Sequence, residues 1–316
     1  MTLLQDTASM ALLGGVLALL VLASIIGWIL SIRVTSAGGR ATVDNVNARI
    51  RAWWVMAVLF LAAVSTSTTG AILLFAVVSF LALREFVTLA PTRQADHRSL
   101  FWSFFVVTPL QYYLVAVGWY GLFSILIPVY VSILLAIRTT LAGDTERFLE
   151  RTATNYWGVM ICIYFVSHVP ALLTLSIPGY EQQNAKLMIF LVIVVQMSDV
   201  LQYVWGKLMG RRRIAPAISP NKTWEGLIGG MLSATAIGAG LWWATPFSPM
   251  AAAAMAFVLT GMGFAGGLIM SAIKRDRGVK DFGTLIGGHG GVLDRIDSLC
   301  FAAPIFFHLT RYFYAV

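Results

Sequence analysis

The chain reads as a succession of long apolar runs separated by short polar stretches. A membrane-crossing helix needs about 20 predominantly apolar residues. Runs of that kind fall near residues 10–32, 53–67, 70–86, 101–117, 119–140, 156–176, 186–206, 226–244, 250–272 and 297–314. The apolar stretch from Trp53 to Leu83 is too long for one span, and Ser65-Thr66-Ser67-Thr68-Thr69-Gly70 divides it into two short or tilted helices. The pattern predicts an all-α integral membrane protein with about nine or ten transmembrane helices, the break at Gly118 being the weakest. The first run, Met10 to Ile32, lacks a basic n-region and a small-residue cleavage site, so it is expected to be a retained span.

Composition supports the same class. Of 316 residues, 59% are hydrophobic and 11% charged, with a mean hydropathy of +0.81; soluble domains carry about 25% charged residues. The net charge of +8 would suggest a nucleic-acid partner in a soluble protein, but here the basic residues sit between apolar runs rather than along one face. They alternate. Arg33, Arg40, Arg49 and Arg51 follow the first run; Arg84, Arg93 and Arg98 the third; Arg138, Arg147 and Arg151 the fifth; Lys207, Arg211 to Arg213 and Lys222 the seventh; Lys274, Arg275, Arg277, Lys280 and Arg295 the ninth. Cytoplasmic loops are enriched in Lys and Arg. Every basic loop is therefore expected on the cytoplasmic side of a multi-pass protein of the cell's inner (cytoplasmic) membrane, with both termini outside. Cys162 and Cys300 lie in apolar runs with no metal or disulfide spacing and read as core thiols.

Carboxylates divide the chain. Asp144, Glu146 and Glu150 read as part of a solvated interfacial helix, whereas Asp199, Glu225, Asp281, Asp294 and Asp297 lie within or beside the last four spans. Ionisable groups at membrane depth are costly and are by default functional. The expected organisation is an N-terminal set of spans with an interfacial segment, 1–155, and a C-terminal catalytic region, 156–316, whose cytoplasmic loops are 207–225 and 273–296.

In the first of these loops, Ser219 followed by Pro220 reads as a helix start, and Lys222 and Thr223 add a cation and a hydroxyl to a phosphate site. An ordinary capped helix is the plain alternative. The second loop is richer. Ser271, Lys274 and Arg275 share a helical face, and so do Asp294 and Asp297, which together can hold Mg²⁺. Glycines flank His289 and admit close backbone approach to a ligand. Cations, carboxylates, a histidine and free N–H groups are the components of phosphoryl or nucleotidyl transfer; a structural ion cluster at a helix start is the alternative. His168, beside Pro170 in a span, reads as a packing residue, and His308 and Arg311 as interfacial.

Ser271-x-Ile273-Lys274-Arg275, Lys280-Asp281 and His289-Gly290-Gly291-x-x-Asp294-Arg295-Ile296-Asp297 resemble the signature of the phosphatidate cytidylyltransferases (CDP-diacylglycerol synthases). Upstream, Asp199-x-x-x-Tyr203, Gly206, Gly210 and Ala215-Pro216-x-Ile218-Ser219-Pro220-x-Lys222-Thr223-Trp224-Glu225-Gly226 are similar to the same family, and Arg84-Glu85 is a fainter echo. The strong resemblance covers Ser198 to Cys300. It implies CTP and phosphatidate as substrates, CDP-diacylglycerol and pyrophosphate as products, Mg²⁺ with a monovalent cation such as K⁺, and a homodimer in the lipid bilayer. It also implies Asp294 as a metal ligand, and Ser271, Lys274, Lys222 and His289 at the nucleotide or lipid phosphates. Ser219, Thr223 and Glu225 join Lys222 as candidate nucleotide-binding residues, and Arg275, Lys280, Asp281, Arg295 and Asp297 complete the candidate catalytic set. In one place the chain departs from many members of the family: Gly267 and Met270 stand where they carry carboxylates, which puts the second metal position on Asp199, Asp281 or Asp297. A CTP-dependent lipid kinase, a cytidylyltransferase for another phospholipid, a family member without turnover and a transporter are the rival readings. Charges gathered at one face in unmatched halves argue against the last.

Overall fold

The computed structural model describes residues 7–285 and 290–316. Ten helical rods make up almost all of it: α1 (Thr7–Arg33), α2 (Ala37–Thr66), α3 (Thr68–Leu89), α4 (Gln94–Ala116), α5 (Tyr120–Thr140), α6 (Phe148–Thr174) and α7 (Ala185–Met209), then, after a β-hairpin, α8 (Trp224–Gly240), α9 (Pro249–Asp276) and α10 (Leu293–Tyr314). Eight described rods are long and apolar enough to cross a membrane. The other two are α8, which is only 17 residues long, and α10, which opens on Asp294, Arg295 and Asp297. The ten rods follow the ten apolar runs, and the fold is an all-α membrane protein.

The polar stretch after Ala63 breaks the chain as expected. Ser67 leaves the helical region and its side chain accepts from the Gly70 N–H, capping α3. Three consecutive rods contain π-helical turns, at Ser103–Val107, Leu126–Val131 and Met160–Phe165. The last of these turns sits in the middle of the buried core.

Close approach of helices in lipid requires small residues, because lipid supplies no hydrophobic drive to hold helices together. α7 and α8 show this. A Cβ on Gly230 would stand 2.6 Å from the Gln202 backbone nitrogen, and one on Gly226 3.0 Å from the Gly206 Cα. The Trp205 indole then donates across the seam to Ser233 at 3.0 Å.

The stretch around Asp144 is not the solvated interfacial helix expected. Residues 141–147 form a turn, and α6 starts only at Phe148. Asp144 pairs with both Arg93 and Arg151 at 2.8 Å, and these bonds hold its carboxyl below the usual range, the Arg151 hydrogen bond most of all. Arg151 also faces Asp96 at 3.4 Å, their side chains being 2% and 0% exposed. A buried ion pair that loses one partner leaves an uncompensated charge, which costs about 3–5 kcal/mol. Arg151→Met is therefore expected to lower stability on that scale, read as a fall in the thermal unfolding midpoint in detergent. An unchanged midpoint would show that the cluster is only decorative.

Candidate active site

One end of the bundle gathers the polar chemistry: the C-terminal ends of α3, α7 and α9, the β-hairpin, and the N-terminal ends of α8 and α10. The hairpin comes first in the chain. Strands β1 (Arg213–Ala215) and β2 (Ser219–Thr223) pair antiparallel, with Arg213 opposite Thr223. Ser219 and Pro220 thus lie in a strand, and the helix start expected there is displaced to Thr223. The residue before a proline is pushed toward extended backbone, and a proline is tolerated on a two-stranded edge. Thr223 is the actual N-cap, its hydroxyl accepting from the Gly226 N–H at 3.1 Å. Glu225, in the first turn, accepts from the backbone N–H groups of Arg211 (3.0 Å) and Arg212 (3.2 Å) and so ties the hairpin to α8.

Lys222 points from β2 toward α9. Its ammonium lies 4.6 Å from the Phe264 ring centroid and 3.5 Å from the Phe264 carbonyl. Burial pushes it below the usual lysine range, and the carboxylates of Asp199 and Asp297 oppose that shift. Gly267 faces the same space: a Cβ there would stand 3.0 Å from the Lys222 ammonium and 3.3 Å from the Ser298 hydroxyl. Asp199, on α7, is hydrogen-bonded with Ser298 and feels the charge of Asp297. Lys222, set against the bare backbone of α9 at Gly267, thus feels the charges of both Asp199 and Asp297. Met270, the other departure, is fully buried.

Beside this group, Lys274 donates to Asp294 Oδ1 at 2.8 Å, and its ammonium stands 5.4 Å from the Phe282 ring centroid. The second oxygen, Oδ2, accepts from the Phe282 N–H at 2.8 Å and the Gly291 N–H at 2.9 Å. Asp294 is therefore held by one cation and two backbone donors. Arg295 sits half-buried among the charges of Asp294, Asp297 and Asp281, with Arg49 of α2 acting on it as well.

The remaining candidates stand further out. Ser271 donates back to the Gly267 carbonyl at 2.7 Å. Exposed Arg275 donates to Ile218 O (3.3 Å) and Val279 O (3.0 Å), bracing the hairpin against the end of α9. Lys280 and Asp281 are exposed on the loop after α9. His289 lies outside the described residues.

Glu85 is the residue to which the sequence pattern gave too little weight. Its buried carboxylate accepts from the backbone N–H groups of Val292 and Leu293, both at 2.9 Å, at the start of α10. Close approach requires glycine at Gly291, where a Cβ would overlap the Glu85 carboxylate. A lone carboxylate inside the apolar run of α3 was the available signal. His168, by contrast, is a packing residue as expected. It is fully buried, with Nδ1 2.7 Å from the Tyr164 carbonyl.

Together these features define a polytopic membrane protein with lysines and carboxylates gathered at one end of its bundle. The sequence profile of the cytidylyltransferase family matches residues 47–313, and the chain belongs to that family, the CTP-dependent nucleotidyltransferases. Among similar proteins, the uncharacterized protein YnbB of Escherichia coli (strain K12) is 39% identical over 299 residues, 93% of this chain and 96% of its own. The phosphatidate cytidylyltransferase of Staphylococcus aureus (strain COL) is 35% identical over 130 residues, 40% of this chain and 50% of its own. That of Staphylococcus haemolyticus (strain JCSC1435) is 30% identical over 159 residues, 50% of this chain and 61% of its own. The chain thus matches about half the length of the relatives that carry an activity in their names.

The Glu85 bonds yield a prediction. Glu85→Gln removes the charge but keeps one acceptor, weakening two charge-assisted bonds to a helix start. Each such bond is worth about 1.5–3 kcal/mol. The expected result is a lower unfolding midpoint together with at least a tenfold loss of turnover, as the start of α10, which carries Asp294, loses its anchor. Full activity in this variant would remove Glu85 from the account.

Proposed function

We propose that this protein transfers the cytidylyl group of CTP to phosphatidate, giving CDP-diacylglycerol and pyrophosphate for phospholipid synthesis. The observation that carries the reading is the convergence of Lys222, Lys274, Asp199, Asp294 and Asp297 at one end of a membrane bundle. Family membership and the names of the partial relatives support it.

No protein nucleophile is needed. A phosphate oxygen of phosphatidate attacks the α-phosphorus of CTP, the bond from that phosphorus to the bridging oxygen breaks, and pyrophosphate leaves. The difficulty is bringing two polyanions together, so positioning and charge neutralisation dominate. In this reading Lys222 and Lys274 take the phosphates, and the backbone N–H groups around Gly291 and Phe282 stay fixed by Asp294.

Mg²⁺ belongs to the same reading. Among the described residues no three acidic, histidine or cysteine side chains cluster as a metal cage, and a divalent ion bound through one or two carboxylates and substrate phosphates needs none. Asp294 already accepts from Lys274 at Oδ1 and from Phe282 and Gly291 at Oδ2. Asp199 and Asp297, whose charges both act on Lys222 beside Gly267, are the donors that fit. When bound there, Mg²⁺ would neutralise phosphate charge as the transition state forms. The setting in this reading is the inner membrane, with the catalytic loops toward the cytoplasm, where CTP is supplied. A companion K⁺ and assembly as a homodimer rest on the family resemblance alone.

Two measurements test the proposal. With CTP labelled in the cytosine ring, label is expected in the lipid fraction when phosphatidate and Mg²⁺ are present, while γ-phosphate label leaves as pyrophosphate. Lipid that takes up only the γ-label would mean a CTP-dependent kinase. The second measurement separates the carboxylates. Asp294→Asn should lose turnover on the order of 10²-fold and lower the unfolding midpoint, with an unchanged Mg²⁺ requirement in the residual activity. Asp199→Asn and Asp297→Asn should instead raise the Mg²⁺ concentration needed for half-maximal rate while the fold stays intact. The reverse pattern would return the metal to Asp294.

A further inference from the structure

α10 has a second end. Asp294 and Arg311 stand at its opposite termini, about 25 Å apart along the axis, so no single phosphate reaches both. At the far end lies a cavity of about 480 Å³ lined by Tyr120, Ile305, His308, Leu309, Arg311 and Tyr312, among others. This is the size of a ligand pocket, which typically measures roughly 300–1,000 Å³.

Its polar groups are positioned together. The Arg311 guanidinium carbon lies 3.8 Å from the centroid of the Tyr120 ring, within stacking distance. The Tyr120 hydroxyl is 3.5 Å from Nδ1 of half-buried His308. Among the described residues no carboxylate pairs with Arg311. Behind His308 lies the fully buried His168, ring centroids 5.1 Å apart, whose Nε2 has no hydrogen-bond partner among the described residues. An unpaired guanidinium beside a hydroxyl, an imidazole and a second tyrosine is a set of donors converging on an acceptor-rich anion. Ile305 and Leu309 give the same cavity an apolar wall.

Depth selects the source of the anion. Tyr113, Trp119, Trp242 and Tyr312 are all exposed around this end of the bundle. Tyrosine and tryptophan gather where the hydrocarbon core meets the headgroups. A cavity at that level, half cationic and half apolar, meets lipid phosphates with acyl chains attached.

We infer that this cavity is a second anion site, which takes the phosphate of an anionic phospholipid at the membrane face away from the catalytic loops. The bound lipid bridges α5, through Tyr120, to α10. The site is independent of the proposed activity, because none of its residues belongs to the catalytic end.

The test uses the full chain in mild detergent with dioleoyl-phosphatidylglycerol or dioleoyl-phosphatidylcholine added, and native mass spectrometry reads the lipid retained. Wild type is expected to retain phosphatidylglycerol in preference to phosphatidylcholine. Arg311→Gln should retain roughly tenfold less, the scale of losing a charge-assisted hydrogen bond, and Arg311→Lys should recover part of it. Ile305→Trp fills the cavity while leaving the charge in place, so it too should lose lipid. Any lipid held at the catalytic end is common to all these proteins and cancels in the comparison. Equal retention by wild type, Arg311→Gln and Ile305→Trp would overturn the site. Equal retention of the two lipids by wild type would overturn the anion assignment. Displacement of the lipid by millimolar inorganic phosphate would make this a free-phosphate site and overturn the lipid assignment.

Discussion

The polar end of this molecule depends on one buried carboxylate accepting two backbone N–H groups. The first N–H groups of any helix lack intrahelical partners, and at the membrane boundary water cannot be relied on to satisfy them. Glu85 reaches from α3 to the start of α10 and takes the N–H groups of Val292 and Leu293. Its negative charge also suits the positive end of the helix dipole. With that start fixed, the next residue, Asp294, is aimed back across the loop at Phe282, Gly291 and Lys274. Phe282 in turn stacks on Phe86, the neighbour of Glu85. Phe282 and Gly291 are thereby held beside α3.

The same arrangement explains the charge balance of the site. Lys274 is neutralised by Asp294, and Lys222 is bordered by Asp199 and Asp297. An isolated cation in so dry a place would be expensive. Acid beside each lysine offsets part of the cost of burying its charge. At Gly267, a carboxylate on α9 would stand against the Lys222 ammonium and occupy it. The absence of a side chain there leaves one face of Lys222 open.

Much of this architecture was legible in the sequence, because lipid forces every backbone polar group into helices. Ten apolar runs became ten rods, and the loops with Lys222, Lys274 and Asp294 came together at one end. What was not legible depended on where backbone N–H groups would point. That Asp294 would accept from Lys274 and from the N–H groups of Phe282 and Gly291 could not be read from the spacing. Ser219-Pro220 carried the letters of a helix start, yet pairing with β1 claimed them for a strand, and Thr223 took the cap. Asp144 looked solvated because one partner, Arg93, is remote in sequence, and the other, Arg151, reaches it only through the turn that precedes α6. Glu85 was visible as a carboxylate in an apolar run, but its partners lie more than two hundred residues away.

α10 is where these separate facts join. Its N-terminus is held by Glu85 from α3, and its middle packs Phe301 against Phe165 and Phe307 against Phe123. At its far end Arg311 and His308 meet Tyr120 of α5. The early helices therefore do more than occupy lipid: they grip the helix that carries Asp294 and Asp297 at three levels. Pro304 lies midway along that helix, and a proline there removes one intrahelical hydrogen bond. A helix weakened at its centre relies on its anchored ends, and those anchors, Glu85 and Tyr120, come from the half of the chain in which the sequence shows the least chemistry.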